Sequence, residues 1–341
     1  MSVMTASTAP EAGHAPGRPR LSRWLVRLHR PALLVWAALV VVGAALLLWL
    51  AGPLTDAAAR GWRQYDACGM APQCPYNQEP ILFFNDMYSY LTRSLAVLPL
   101  LTAAWAGAAL VGREMESGTA RLTWTQGVTP ARWLAAKLAL PALAVTAGTS
   151  LLVLLHRHAW SAARGRVDTL DMWNEFFTFH ANGPTTVAFA LAGLAAGAFA
   201  GMVWHRTLPA LVLGLVLTAG IRVLAEVLMP HLWPAVTQVT SLKEGYVFTG
   251  VNVDRGLVTA GGAHIAAPAC DDLSLDGCHR VYEKLGAVGY YSSYHPASHF
   301  WPLQLTTTAL VLALAALLAV GAFLVLRRLT GAFRLVKEAA A

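Results

Sequence analysis

The chain has 341 residues, of which 56 % are hydrophobic and only 13 % charged, with a mean hydropathy of +0.51 and a formal net charge of +7. An ordinary soluble domain carries about 25 % charged residues, so this composition excludes a soluble enzyme or a solvated binding module. The positive charge does not point to nucleic acid, because no basic patch is interleaved with aromatic residues.

Residues 1–17 (MSVMTASTAPEAGHAPG) show no apolar periodicity and read as a disordered tail. From residue 18, RPRLSRWLVRLHRP places Leu21, Trp24, Leu25 and Leu28 on one helical face among arginines. That pattern predicts a basic amphipathic helix over 18–30, lying in the membrane interface. Six apolar stretches within 31–335 are then long enough to cross a bilayer, for which about 20 residues suffice. They run over about 32–52, 94–112, 132–156, 184–204, 208–229 and 302–326, with a short tail at 336–341. LLVWAALVVVGAALLLWLA and LTTTALVLALAALLAVGAFLVL carry no polar stripe at helical period, which a buried helix of a soluble protein would need. Asp56-Ala57-Ala58-Ala59 resembles a signal cleavage site, yet the first apolar run exceeds the roughly 7–15 residues of a secretory core. It is read as a retained span. The expected fold class is an all-α integral membrane protein with six spans and disulfide-stapled outer loops containing minor β structure.

The first predicted outer loop, 53–93, holds Cys68 and Cys74; the last, 230–301, holds Cys270 and Cys278. Pairing within each loop is simplest, although four cysteines allow three connectivities. Neither spacing suits a zinc ligand pair. The basic residues set the orientation. Fourteen of 25, including Arg113, Arg121, Arg132, Lys137, Arg206 and Arg327, fall on the side of the termini, where loops are short. The positive-inside rule puts that side, with both termini, in the cytoplasm.

The fourth span carries Gly193, Gly197 and Gly201, each four apart, which bares one helix face for close packing. HRTLP at 205–209 is a tight inner turn. In the fifth span Arg222 and Glu226 are spaced i, i+4 towards its outer end, so the pair can neutralise itself and reach the interface. The outer loop 230–301 opens on strand-like EGYVFTGVNV and has Gly261-Gly262 as a turn signal. It ends in the aromatic-rich VGYYSSYHPASHFWPLQ, a small cap over the membrane.

Chemical motifs are sparse. His156 and His158 form HxH, His180 lies nearby, and His295 and His299 are four apart, but no HExxH, GxSxG or GxxxxGK[ST] is present. The chain therefore has no recognisable phosphate loop of its own.

One polar block stands out between the second and third spans: GREMESGTARLTWTQGVTPARWLAAKL, residues 112–138. Glu114 and Glu116 end the second span, Ser117-Gly118-Thr119 breaks the helix, and Thr119 is placed to cap a short helix, ARLTWTQ. Gly127 stops it, and Thr129 with Pro130 opens the third span. The result is a short inner helix presenting Arg121, Leu122 and Trp124. This block resembles the signature of type-2 ABC transporter permeases, an Arg-Glu-x-Glu-x-Gly-Thr run followed by a Leu-bearing helix and a Thr-Pro start to the next span. Arg113, Glu114, Glu116, Gly118, Thr119, Leu122, Thr129, Pro130 and Lys137 match it, and its Arg-Leu-x-Trp-Thr-Gln wording is similar to actinobacterial members. HRTLPAL and YHPASHFWPLQ agree with it, so the likeness covers roughly residues 20–335.

The resemblance implies the membrane subunit of an ATP-driven exporter in the cytoplasmic membrane. The short helix would be a coupling helix docked in a separate ATP-binding subunit, expected in two copies. A second permease chain, identical or related, would complete the pathway among membrane lipids. No cofactor is expected on this chain; ATP and Mg would sit on the partner. Two other readings compete: a membrane-embedded metal-dependent hydrolase using His156, His158 and His180, and a ligand sensor working through the outer cap.

Overall fold

The computed structural model describes residues 29–69, 74–246, 250–269 and 275–339, with side chains omitted for 275–276 and from 332 onward. The tail 1–17, most of the interfacial helix expected over 18–30, and Cys270 lie outside the described residues.

The first span is α1 (Arg30–Trp49), which passes through a π-turn at Leu50–Leu54 straight into α2 (Thr55–Ala67). Pro53 has no N–H to donate, and the wider π-turn accommodates it without ending the helix. The next span, α3 (Glu79–Glu116), is 38 residues long. The expected loop 53–93 is thus mostly helix, and the second span begins about four turns earlier than its apolar run. The reason is burial on one side only. Ile81, Phe84, Tyr88, Thr92 and Leu95 recur at three- and four-residue steps and are buried, while Asn85, Asp86 and their neighbours keep the mean hydropathy low. Cys68 and Cys74 are disulfide-bonded at the turn between α2 and α3. Cys278 is also disulfide-bonded.

After a seven-residue helix, α4 (Thr119–Thr125), the chain returns along α5 (Pro130–Ala163). A connection containing the short α6 (Phe176–Ala181) leads to α7 (Thr185–Trp204), and a sharp turn at His205–Arg206 leads to α8 (Thr207–Leu228). The axis of the bundle is α7, most of it buried, whereas α1 and α8 turn bare Leu and Val faces outward as a lipid solvent permits. Its glycines lie against α3. A Cβ on Gly193 would come within 2.7 Å of the Leu100 carbonyl oxygen, and one on Gly197 would overlap the Ala104 carbonyl. The partner face does the same at Gly107, where any Cβ would strike the Leu194 backbone. Two helix backbones touch there, which is the geometry that small residues allow where apolar surface alone gives no drive to associate.

Beyond α8 stands a four-stranded antiparallel sheet of β1 (Val236–Ser241), β2 (Val251–Thr259), β3 (His264–Ile265) and β4 (Ala287–His295), in the order β1-β4-β2-β3. Of the strand expected at EGYVFTGVNV, residues 244–246 are not in a strand and Val251 onward belongs to β2, while 247–249 lie outside the described residues. Gly262, at φ 80°, makes the β2–β3 turn as its position suggested. A helix, α9 (Leu275–Lys284), packs Tyr282 against Leu257 and Tyr290 of the sheet. The last span, α10 (Phe300–Ala339), returns through the bundle.

Candidate functional site

At the end of the bundle that carries the chain's first described residue, α3, α4, α5 and α8 meet. Gly118 precedes α4 in the left-handed region, φ 76°, where a side chain would be strained, and so it lets the chain reverse out of α3. Thr119 is the first helical residue rather than the cap expected of it. Its hydroxyl instead bonds Ser117 Oγ at 2.9 Å, beneath the end of α3. Thr129 caps α5 by accepting from the Arg132 N–H at 3.4 Å, with Pro130 in the first turn.

The two carboxylates fasten the elements around this turn. Glu114 accepts from the Trp133 indole N–H at 2.9 Å through Oε2 and pairs with Lys137 Nζ through Oε1. Lys137 is only 3 % exposed, so its charge is balanced by Glu114 and not by water. Glu116 accepts from both the N–H and the hydroxyl of Thr207, each at 3.0 Å, and so caps the start of α8 from a different helix. One carboxylate ties α3 to α5, and the other ties α3 to α8.

Within α4 the two faces separate. Ala120 is fully buried, and Trp124 one turn later packs edge-on against Trp133 at 5.7 Å, in a cluster with Val111, Leu134, Met202 and Leu326. Leu122 points the other way and is 63 % exposed; Arg121 is also exposed. The expectation that Trp124 is presented outward is therefore corrected: it anchors the short helix, because i and i+4 positions share the face that meets α5. An exposed Leu on a helix held at both ends by left-handed glycines, Gly118 and Gly127, is the feature of this surface.

In the bundle interior, Arg222 Nε and Glu226 Oε1 are 3.0 Å apart, as the i, i+4 spacing suggested. They do not reach outward. Arg222 lies over the rings of Phe189 (4.5 Å) and Phe176 (5.0 Å), and Glu226 takes a second partner, His180 Nε2, at 2.7 Å. His180 also meets Thr185 Oγ1 at 3.0 Å. A neighbouring network joins α3, α5 and the connection after α6. Thr92 donates its hydroxyl proton to the Tyr88 carbonyl at 2.6 Å, so it must accept from His156 Nε2 at 2.8 Å, and His156 Nδ1 faces the Asn182 amide at 2.9 Å. The sequence puts His156 and His158 at the outer end of the third span, with His180 nearby. His156 and His180 are buried, with separate sets of partners, and His158 is exposed. No cluster of three metal-ligating side chains occurs among the described residues. The hydrolase reading thus finds its three histidines apart. His295 and His299 do approach, Nδ1 to Nδ1 at 3.1 Å, but the first ends β4 and its other nitrogen is taken by the Pro230 carbonyl. They do not share a helix face. Glycines 193, 197 and 201 serve the α3–α7 contact already described.

The signal for the burial of His156 lay in spacing. Val153, His156, Ala159 and Ala163 form one buried stripe of α5.

The family model for ABC-2 membrane transporter related proteins matches residues 22–229, which include five of the six spans and the whole α3–α4–α5 turn. The chain belongs to that family. It is accordingly a multi-pass membrane permease of the ABC transporter class, a transport component and not itself a catalyst, from a family whose permeases work with ATP-binding subunits. No curated protein and no solved structure matches the chain. The sheet and the last span lie beyond the matched residues.

Proposed function

We propose that this permease is the membrane subunit of an ATP-driven exporter, and that α4 is the coupling helix by which a separate ATP-binding subunit moves it. The observation that carries this reading is the contrast within α4: Trp124 and Ala120 are locked into the bundle while Leu122 stands 63 % exposed on the far face. A linker needs no anchor, whereas a lever needs one side fixed and the other free to be gripped. Glu114 and Glu116 support the same reading, because they fasten α3 to α5 and α8, so that a push on α4 reaches three spans together.

In this arrangement both termini and α4 face the cytoplasm, in keeping with the basic residues Arg113, Arg121, Arg132 and Arg206 at that end. Two ATP-binding subunits dock below two permease chains, identical or related, and ATP with Mg is held and hydrolysed on the partners. Closure of the ATP-binding pair displaces α4, and the clamped spans convert that into a change of the pathway. The substrate crosses between permease chains.

The test is a cysteine at Leu122 in a cysteine-controlled chain. Membrane-impermeant maleimide should label it in inside-out vesicles and not in intact cells, and the ATP-binding partner should protect it. Labelling from outside intact cells would end the coupling-helix reading. The ligand-sensor reading would be favoured if the purified complex contained no ATP-binding protein.

A further inference from the structure

At the opposite end of the bundle from α4, a cavity of about 850 Å³ opens between the end of α2, the end of α5, the 164–175 connection and the start of α10. That volume falls within the range of small-molecule sites, about 300–1,000 Å³. Four tryptophans line it: Trp62, Trp160, Trp173 and Trp301. Among them is a half-buried cation. The Arg157 guanidinium lies over Trp301 at 4.6 Å and over Phe300 at 5.4 Å.

A cation over aromatic faces is held by the ring quadrupole without using a hydrogen bond, so its N–H groups remain available to acceptors. Of the five N–H donors on such a group, one, at Nη1, goes to the Asn182 carbonyl at 3.3 Å. Arg157 forms no ion pair among the described residues. The other charges of the cavity do not supply one. Arg166 is occupied by Asp56 at 2.6 Å, Asp171 accepts from Thr178, and Asp66, Asp168 and Arg164 are exposed at the rim, where water screens them. Asn182 is in turn held by His156, so the acceptor that orients Arg157 is fixed from the buried network behind it. A positioned guanidinium with free edges, at the inner side of a tryptophan-lined cavity, has the form of an oxyanion receptor.

The geometry points to a binding site for an amphiphile with an anionic head, a phosphate or carboxylate received by Arg157, whose apolar body lies along the tryptophans. The site stands on a single chain at the end away from α4, so it does not depend on the coupling reading. A lipid headgroup and a free amphiphile present the same chemistry to it.

The experiment uses the full chain in phosphatidylcholine nanodiscs, titrated by calorimetry against empty discs. The probes are 1-naphthyl phosphate, 1-naphthalenemethanol, 1-naphthylmethylamine and inorganic phosphate. Naphthyl phosphate should bind at least tenfold more tightly than the neutral and cationic analogues, and more tightly than phosphate alone. Arg157→Gln should lose about tenfold or more of that affinity, the scale of a charge-assisted hydrogen bond. Arg157→Lys, which keeps a point charge without the fork, should fall between. Trp301→Leu, which leaves the Asn182 bond in place, is a second check should Arg157→Gln fail to fold, and it should weaken naphthyl phosphate more than inorganic phosphate. Equal binding of the alcohol or the amine, or unchanged affinity in folded Arg157→Gln, would overturn the proposal. Discs containing phosphatidylglycerol separate the sources. Competition there identifies the lipid headgroup as occupant, and undiminished binding identifies a soluble amphiphile.

Discussion

Removing the Glu114 carboxylate tests the clamp that holds the α3–α4–α5 turn together. In Glu114→Ala, Lys137 keeps its charge at 3 % exposure but loses its partner, and the Trp133 indole N–H loses its acceptor. Stranding one member of a buried pair costs about 3–5 kcal/mol. Glu114 itself is 21 % exposed, so water can enter the vacated space, which favours the lower end, about 3 kcal/mol. Lys137→Met is expected to cost less, about 1–2 kcal/mol, because Glu114 keeps its bond to Trp133 and stays partly hydrated. The double variant Glu114→Ala/Lys137→Met removes both charges and should cost about 2–3 kcal/mol, less than the sum of the singles, about 4–5 kcal/mol. The expected coupling energy is about 2 kcal/mol. Equilibrium unfolding of the four purified proteins in mixed micelles, followed by far-ultraviolet circular dichroism, measures the cycle. A Glu114→Ala cost below about 1 kcal/mol, or strictly additive singles, would show that the pair does not hold the turn and would refute the reasoning.

Other outcomes follow from the same geometry. Leu122→Asp should leave stability within about 0.5 kcal/mol, as for an exposed site, yet abolish stimulation of the partner ATPase. Trp124→Ala should cost about 2 kcal/mol because it removes a half-buried anchor; equal stability of the two variants would contradict the assignment of faces. Gly197→Leu should prevent assembly of α7 on α3, since even a Cβ meets the Ala104 carbonyl, and it should appear as protease sensitivity of the folded chain; unchanged resistance would count against the backbone contact. His295 has its pKa lowered from 6.5, chiefly by burial and against the Pro230 hydrogen bond. The unfolded chain therefore binds a proton first. The stabilising contribution of neutral His295 is present above about pH 6.5 and is lost as pH falls towards the folded value. In His295→Gln that part of the acid-side loss should vanish; an unchanged pH profile of unfolding would refute it.

How much of the protein was legible in advance depends on which signal each part rests upon. The five spans after the first loop and the α4 turn could be found because long apolar runs and a Gly-Thr break act locally. The 79–93 stretch was missed because hydropathy averages over a window, and its buried residues occupy only one face. The inward turn of Trp124 was missed for a related reason. A seven-residue helix offers either face to the bundle, and Trp133 on another span decided which.

By itself the sequence determined what must hold for any packing: residence in a bilayer, six helices long and apolar enough to cross it, a polar turn between the second and third, and an excess of basic residues on the side of the termini. These follow from the transfer of side chains and backbone into lipid, which each segment undergoes on its own account. Only the tertiary structure decided that His180 joins Arg222 and Glu226, that Glu116 caps a helix 91 residues away, and that Arg157 lies among tryptophans with no ion pair among the described residues. Those arrangements depend on distances between segments remote in sequence, which neither composition nor local periodicity encodes.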